Sequence, residues 1–464
     1  MACFAGVLAG TGTSTDRAAS ANTIACMSTL EDTADSEVVR FASDLIRIDT
    51  TNTGGVGTVG ERVAAEYVSQ RLIEAGGRPQ LLEAEPGRSN VLLRIPGTQD
   101  SGRSAGTVVH GHLDVVPADP GEWTVDPFGG LVEDGFVWGR GAVDMKGTDA
   151  VMLAVARRWL STGIRPRHDV VFAWLADEET GGTLGAQWLC RRNAELFAGC
   201  GTALGEVGGF SIPIGPANLY PVMTAERAHA HLELIATGFS GHGSISSAAN
   251  PITVLAKAVT DLVGYQFPAE ASPSVVGFLQ IVGKLWGTNL LRMPLDSAVG
   301  ALGPLGQLLQ PSLRHSVVPT MLTAGYSANV VPGRATATLD CRILPGQLDD
   351  FSGHLRRILG DEVQYRLTVL TRGMESPFEA DVVDSIGASL RAHDPAAVPL
   401  PYMVSASTDA AHFAELGLCT YGFSPLELPA GFRFGAMFHG RDEKVPVDGL
   451  KFGVTVLHDL LLSL

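Results

Sequence analysis

The feature that most constrains this chain is residues 107–147, TVVHGHLDVVPADPGEWTVDPFGGLVEDGFVWGRGAVDMKG. It opens on an apolar run, Thr107 to Val109, that reads as a buried strand. The chain leaves that strand through His110-Gly111-His112-Leu113-Asp114. Residues two apart on a strand share a face, so His112 and Asp114 are expected to point the same way. A carboxylate so placed can accept the free ring N–H of a metal-ligating histidine and fix its tautomer. The stretch closes on a glycine-rich turn, Gly139 to Gly147, which sets Asp144 before a helical segment. A second acidic cluster, Asp177-Glu178-Glu179-Thr180-Gly181-Gly182, follows another apolar run. Together these are the parts of a carboxylate-rich metal site.

A chain of 464 residues is too long for one ordinary core, so two domains are expected. Apolar periodicity predicts helices over 37–48 and 61–75, strands over 90–95 and 107–109, a helix over 149–160 and a strand over 168–175. Alternating strands and helices imply an α/β sheet covered on both faces, with functional residues on loops beyond the strand ends. The pattern changes near Arg227. Residues 229–236 alternate like a half-exposed strand, the turn TGFSGHGS follows, 251–263 reads as a helix, and alternation returns at 335–342. This implies a compact α+β domain inserted into the first. The expected division is a disordered tail over 1–35, a catalytic domain over 36–225 and 344–464, and an inserted domain over 226–343. Within the insertion, 273–312 is apolar and poor in charge, as expected of a pocket lining or a dimer interface.

A net charge of -16 argues against nucleic acid or an anionic membrane as partner. No window has the length and apolarity of a membrane span. The six cysteines are scattered without a C-x-x-C pair, so free thiols in a reducing cytoplasm are expected. The N-terminal twenty residues lack a basic leader region, and Met27 is an alternative start.

A two-metal hydrolytic site needs a ligand set for each ion, a shared carboxylate and a base for water. The candidates, in chain order, are His112, Asp144, Glu178, Glu179, Glu206 and His439. Imidazole with carboxylates suits zinc, with cobalt or manganese as alternatives.

The motifs HGHLDVVP, GRGAVDMKG, DEETGG, LGEVGG, GHGS, NVVPGRATATLDCRILPG and FHGRDEKVP occur in that order. In this the chain resembles the dinuclear zinc metallopeptidase and amidohydrolase family of aminoacylase, glutamate carboxypeptidase, acetylornithine deacetylase and succinyl-diaminopimelate desuccinylase. The resemblance spans 36–464, and 273–312 resembles the carboxypeptidase-S-like branch. It implies a zinc-exopeptidase-like α/β catalytic domain, with helices on both faces of a mixed sheet, interrupted by a smaller α+β lid and dimerisation domain. It implies that His112, Asp144 and Glu206 hold one ion, and that Asp144, Glu179 and His439 hold the other with Asp144 bridging. Asp114 would orient His112, and Glu178 would be the general base. His242 of GHGS would reach a neighbouring subunit's site, making the protein a homodimer. Asn329 and Arg342 would bind substrate, with Ser407, Thr408 and Asp409 forming a polar loop nearby.

The expected activity is therefore metal-dependent cleavage of an amide or peptide bond next to a free carboxylate. Peptides or N-acyl amino acids are the expected substrates. The alternatives are a biosynthetic deacylase acting on succinyl-diaminopimelate or acetylornithine, a one-metal exopeptidase, and a non-catalytic binding protein on the same fold.

Overall fold

Strands Arg88–Ile95, Gly106–His112 and Val170–Leu175 are buried along almost their whole length. A strand reads this way when both faces of its sheet are covered. The computed structural model describes residues 34, 37–99, 104–245 and 250–464. The expected tail over 1–35 lies outside these described residues apart from Ala34.

These three strands belong to a ten-stranded mixed sheet. Gly106–His112 lies at its centre, parallel to Val170–Leu175 on one side and to Cys200–Gly205 on the other. Alternate residues feed opposite cores. Val91, Leu93, Val170, Phe172 and Trp174 pack beneath the helices 37–47, Arg62–Glu74, Lys146–Thr162, Asp381–His393 and Val447–Ser463. Leu92, Val108, Val171, Ala173 and Leu175 pack against Ala186–Arg192 and Ala410–Glu415 on the other face. The expected elements in this half are present, with ends displaced by a few residues.

A second sheet of four antiparallel strands runs Ser316–Ala324, Arg334–Ile343, Ala228–Thr237, Gln364–Thr371. Ala228–Thr237 alternates buried and open positions, and its buried side packs on helices Pro251–Gly264 and Leu348–Leu359. The inserted unit was expected to end at 343, but backbone pairing of Ala228–Thr237 with Gln364–Thr371 carries the sheet on to Thr371. The apolar stretch 273–312 was expected to line a pocket or an interface. Its Val275, Phe278, Leu279 and Val282 pack on Leu219, Met223, Leu400 and Tyr402, so this part of it covers strands of the large sheet. Those strands, Ala217–Glu226 and Ala397–Val404, carry apolar side chains on this face that need a cover.

Candidate metal centre

Three strand ends deliver the cluster. Gly106–His112 ends on His112, Val170–Leu175 is followed by Glu178 and Glu179, and Cys200–Gly205 is followed by Glu206. The three strands are neighbours in the order Val170–Leu175, Gly106–His112, Cys200–Gly205, so these side chains emerge side by side. Asp144 stands just before helix Lys146–Thr162, and His439 reaches in from a turn where its φ is 54°.

Asp144 lies between the two imidazoles. Its Oδ1 is 3.0 Å from His112 Nε2 and its Oδ2 is 3.2 Å from His439 Nε2. Glu206 Oε2 is 3.7 Å from His112 Nε2, and Glu179 Oε2 is 3.2 Å from His439 Nε2. His112, Asp144 and Glu206 therefore converge as one donor group, and Asp144, Glu179 and His439 as a second. Glu178 belongs to neither group; its Oε2 is 3.8 Å from His112 Nε2.

His112 is held differently from expectation. Its Nδ1 lies 2.9 Å from the backbone carbonyl of Asp114 and 3.6 Å from that residue's carboxylate. A carbonyl can only accept, so Nδ1 carries a hydrogen, which leaves Nε2 as the ring atom that would bind an ion. The Asp114 carboxylate does another job. Its two oxygens accept the backbone N–H groups of Glu178 and Glu179, at 3.1 and 3.2 Å. Asp114 thus fixes the turn that carries both glutamates. The strand ends at His112, so the shared-face argument stops two residues short of Asp114.

Electrostatics follow from burial. It raises Glu179 and Glu206 above the usual carboxylate range. Burial, aided by the charge of Glu206, lifts Glu178 well above it. Burial also works to raise Asp144, but His112 and His439 outweigh it and hold that carboxyl low. Hydrogen bonds to Asp144 and Glu179 push His439 up to about 10. Four carboxylates crowded out of water repel one another unless cations stand among them. Glu179 Oε1 is buried and has no hydrogen-bond partner among the described residues. The oxygen and imidazole donors, in two groups sharing Asp144, fit two divalent first-row cations such as zinc.

The remaining expected residues lie elsewhere. His242 is exposed on a short strand paired with Val330–Val331, and its Nδ1 is 2.8 Å from Ser244 Oγ. Among the described residues it forms no ion pair or hydrogen bond with the cluster. Asn329 is beside it, accepting the Gly243 amide on its backbone oxygen at 2.7 Å. Arg342 forms a fork with Asp340, Nε to Oδ1 at 2.9 Å and Nη2 to Oδ2 at 3.2 Å. His229 Nε2 meets the same carboxylate at 2.9 Å, so a third potential donor group, His229, His231 and Asp340, is already engaged by Arg342. Ser407 shares a hydrogen bond of 2.6 Å with Thr371. Thr408 donates its amide and hydroxyl to Glu226 at 3.0 and 2.8 Å. Asp409 is buried beside the glutamate turn, where a Cβ on Gly182 would lie 2.4 Å from its Oδ1. Only glycine fits there, since its φ is also 66°.

Sequence reasoning gave no role to Arg140, Asp177 or Glu443, although all three stand inside quoted motifs. Arg140 Nη1 pairs with Glu443 Oε2 at 2.6 Å, and both are buried. Asn52, Glu61 and Arg88 carry no local signal at all, and reach the site only through the fold.

Comparison with known proteins matches residues 108–463 to the family described as peptidase family M20/M25/M40. The chain is 27% identical over 379 residues to a probable carboxypeptidase S-like 2 of Dictyostelium discoideum, covering 76% of this chain and 70% of that one. It is 28% identical over 367 residues to the N-fatty-acyl-amino acid synthase/hydrolase PM20D1 of Xenopus tropicalis, covering 73% and 69%. Among solved structures, the M20 family metallo-carboxypeptidase Sso-CP2 from Sulfolobus solfataricus superposes with a TM-score of 0.67 at 17% identity, over 92% of this chain and 98% of that one. At that identity the likeness is one of fold.

Proposed function

The chain belongs to peptidase family M20/M25/M40, and we propose from that premise that it hydrolyses the amide bond of N-acyl amino acids or short peptides beside a free carboxylate. One observation carries this reading: two donor groups share Asp144, with Glu178 half-buried beside them and part of neither.

In this reading His112, Asp144 and Glu206 hold one ion, and Asp144, Glu179 and His439 hold the other. When bound, the ions acidify a water molecule and polarise the scissile carbonyl. Glu178 takes the proton from the attacking water and returns it to the departing nitrogen. Burial and the charge of Glu206 raise this carboxyl well above its ordinary value, which makes it a stronger proton acceptor. The Asp114 carbonyl keeps His112 in the tautomer that presents Nε2. Arg342 reads the substrate carboxylate. Asp340 occupies its Nε and Nη2, and Nη1 has no partner among the described residues, so that corner of the guanidinium can still donate.

We further propose that the four-stranded sheet and its helices form a lid through which two chains pair. Val318, Met321 and Leu322 stand exposed on its edge strand, which supports an interface there. His242 would then act from the partner chain. A cytoplasmic setting is supported by four free cysteines among the described residues. No helix among the described residues is long and apolar enough to cross a membrane.

The test is a panel of dipeptides and N-acyl amino acids, offered to the purified protein loaded with zinc, cobalt or manganese. Hydrolysis of free acids but not of their carboxamides is expected. A protein that binds two ions yet cleaves no member of the panel refutes the reading.

A further inference from the structure

Glu178 and Glu179 stand on a single turn, Glu178–Thr180, that begins after Asp177. Asp177 has a φ of 73°, a left-handed conformation that an aspartate holds when its carboxylate is engaged locally. Its carboxylate is so engaged. Oδ2 accepts the Thr183 hydroxyl at 2.8 Å and the Leu184 amide at 3.1 Å. Oδ1 accepts the Thr180 hydroxyl at 2.6 Å, Asn52 Nδ2 at 3.2 Å and Arg88 Nη2 at 2.8 Å.

Arg88 is itself immobilised. Its Nε and Nη2 make a fork on Glu61, at 2.9 and 2.8 Å, and Glu61 is fully buried. Among the described residues Arg88 is the one lysine or arginine in ion-pair contact with Glu61 or Asp177. Asn52 extends the same network to Asp114, donating to Oδ2 at 2.9 Å. Arg88 thus stands between two buried carboxylates and steadies the turn by way of one of them.

We propose that Arg88 is a positioning residue for the general base, acting through Asp177 on the backbone from which Glu178 reaches the site. The inference rests on the reading of Glu178 given above. Glu179 has a second anchor, because it meets His439 directly and its donor group would close on a cation. Glu178 belongs to no such group, so its placement depends chiefly on the turn. Loss of Arg88 leaves Glu61 and Asp177 uncompensated at one point in a dry site, and the turn is the movable part. Proton transfer falls steeply with small displacements, whereas ligation by Glu179 can be restored by the ion.

The experiment uses the full chain loaded with metal and compares Arg88→Gln, Arg88→Lys and Thr183→Val. Arg88→Gln should lower kcat by about tenfold to a hundredfold. KM should stay within about twofold of wild type, the signature of an interaction realised in the transition state. Bound metal per chain should not change. Arg88→Lys should recover part of kcat, since an ammonium can meet one of the two carboxylates but cannot fork. Thr183→Val removes a single donor to Asp177 and should lower kcat less, again without loss of metal. Wild-type kcat in Arg88→Gln, or a loss of metal in place of a loss of kcat, overturns the proposal. Should Arg88→Gln fail to fold, Thr183→Val decides, and an unchanged kcat there overturns it. A wild-type protein without hydrolase activity defeats the functional reading itself. An active wild type whose variants keep its kcat defeats this inference alone.

Discussion

Glu443 Oε1 accepts the backbone N–H of Asp144 at 3.0 Å, across 299 residues of chain. The same carboxylate accepts the amides of Val143 at 2.7 Å and Gly141 at 3.0 Å, and pairs with Arg140. Arg140 Nη2 in turn donates to the His439 carbonyl at 3.3 Å. One buried pair therefore sets the spacing between the shared carboxylate and the histidine that meets it.

Glu443→Ala should destabilise the metal-free protein by about 3–5 kcal/mol, because it leaves the Arg140 charge buried without a counter-ion. Urea denaturation in the presence of a chelator measures this. Glu443→Gln keeps an acceptor and should cost less. A Glu443→Ala protein as stable as wild type would show that the pair contributes nothing.

Glu178→Ala should reduce kcat by about a hundredfold to ten-thousandfold, the usual worth of a positioned general base. Metal content should remain that of wild type, because Glu178 lies outside both donor groups. Elemental analysis of the desalted variant is the check, and loss of metal reverses the roles given to Glu178 and Glu179.

Asp144→Ala takes one donor from each group at once. Both ions should bind weakly and activity should vanish, whereas Glu206→Ala and Glu179→Ala each remove a donor from one group only. Titration with zinc followed by chelator competition separates the three variants. Normal stoichiometry in Asp144→Ala would falsify the shared-carboxylate arrangement.

Stability should fall as the solution is acidified below about pH 6.5. His458 Nδ1 accepts the Trp159 N–H at 2.8 Å, and His315 Nδ1 accepts the Leu344 amide at 3.0 Å. Burial pushes each imidazole down to about 4 from the ordinary 6.5; Arg158 adds to this at His458, and Asp350 opposes it at His315. Between those values the unfolded chain binds more protons than the folded one, so stability is complete above 6.5 and lost progressively towards 4. Guanidinium denaturation across that range should show the slope, and His458→Gln should flatten it.

Mixing His242→Ala with Glu178→Ala should restore activity if His242 serves a partner's site. Each hybrid dimer regains one intact site, so full subunit exchange should give about a quarter of wild-type activity. Exchange observed without any rescue returns His242 to a role within its own chain, or to none.

Much of this molecule was legible in the residues alone. Period-two and continuous apolar runs declared the strands, and glycine-bounded acidic motifs at their ends marked candidate donors. His112, Asp144, Glu179, Glu206 and His439 all stood in local patterns, because a metal ligand must sit on a short, well-shaped loop. The half-exposed strand near residue 230 was equally plain, since one face meets helices and the other does not.

What the sequence determined by itself was therefore chemistry that is local: the donor types, the strand ends that carry them, and the family that uses them. Tertiary structure alone decided which groups meet across the chain. It gave the His112 ring to the carbonyl of Asp114 and that residue's carboxylate to the amides of Glu178 and Glu179. It also brought Arg88 to Asp177, extended the second sheet to Thr371, and laid 273–312 over the large sheet. Charged side chains far apart in sequence reveal no pairing until a buried site makes each demand a partner, and apolar segments reveal no destination until the strands that lack a cover are known.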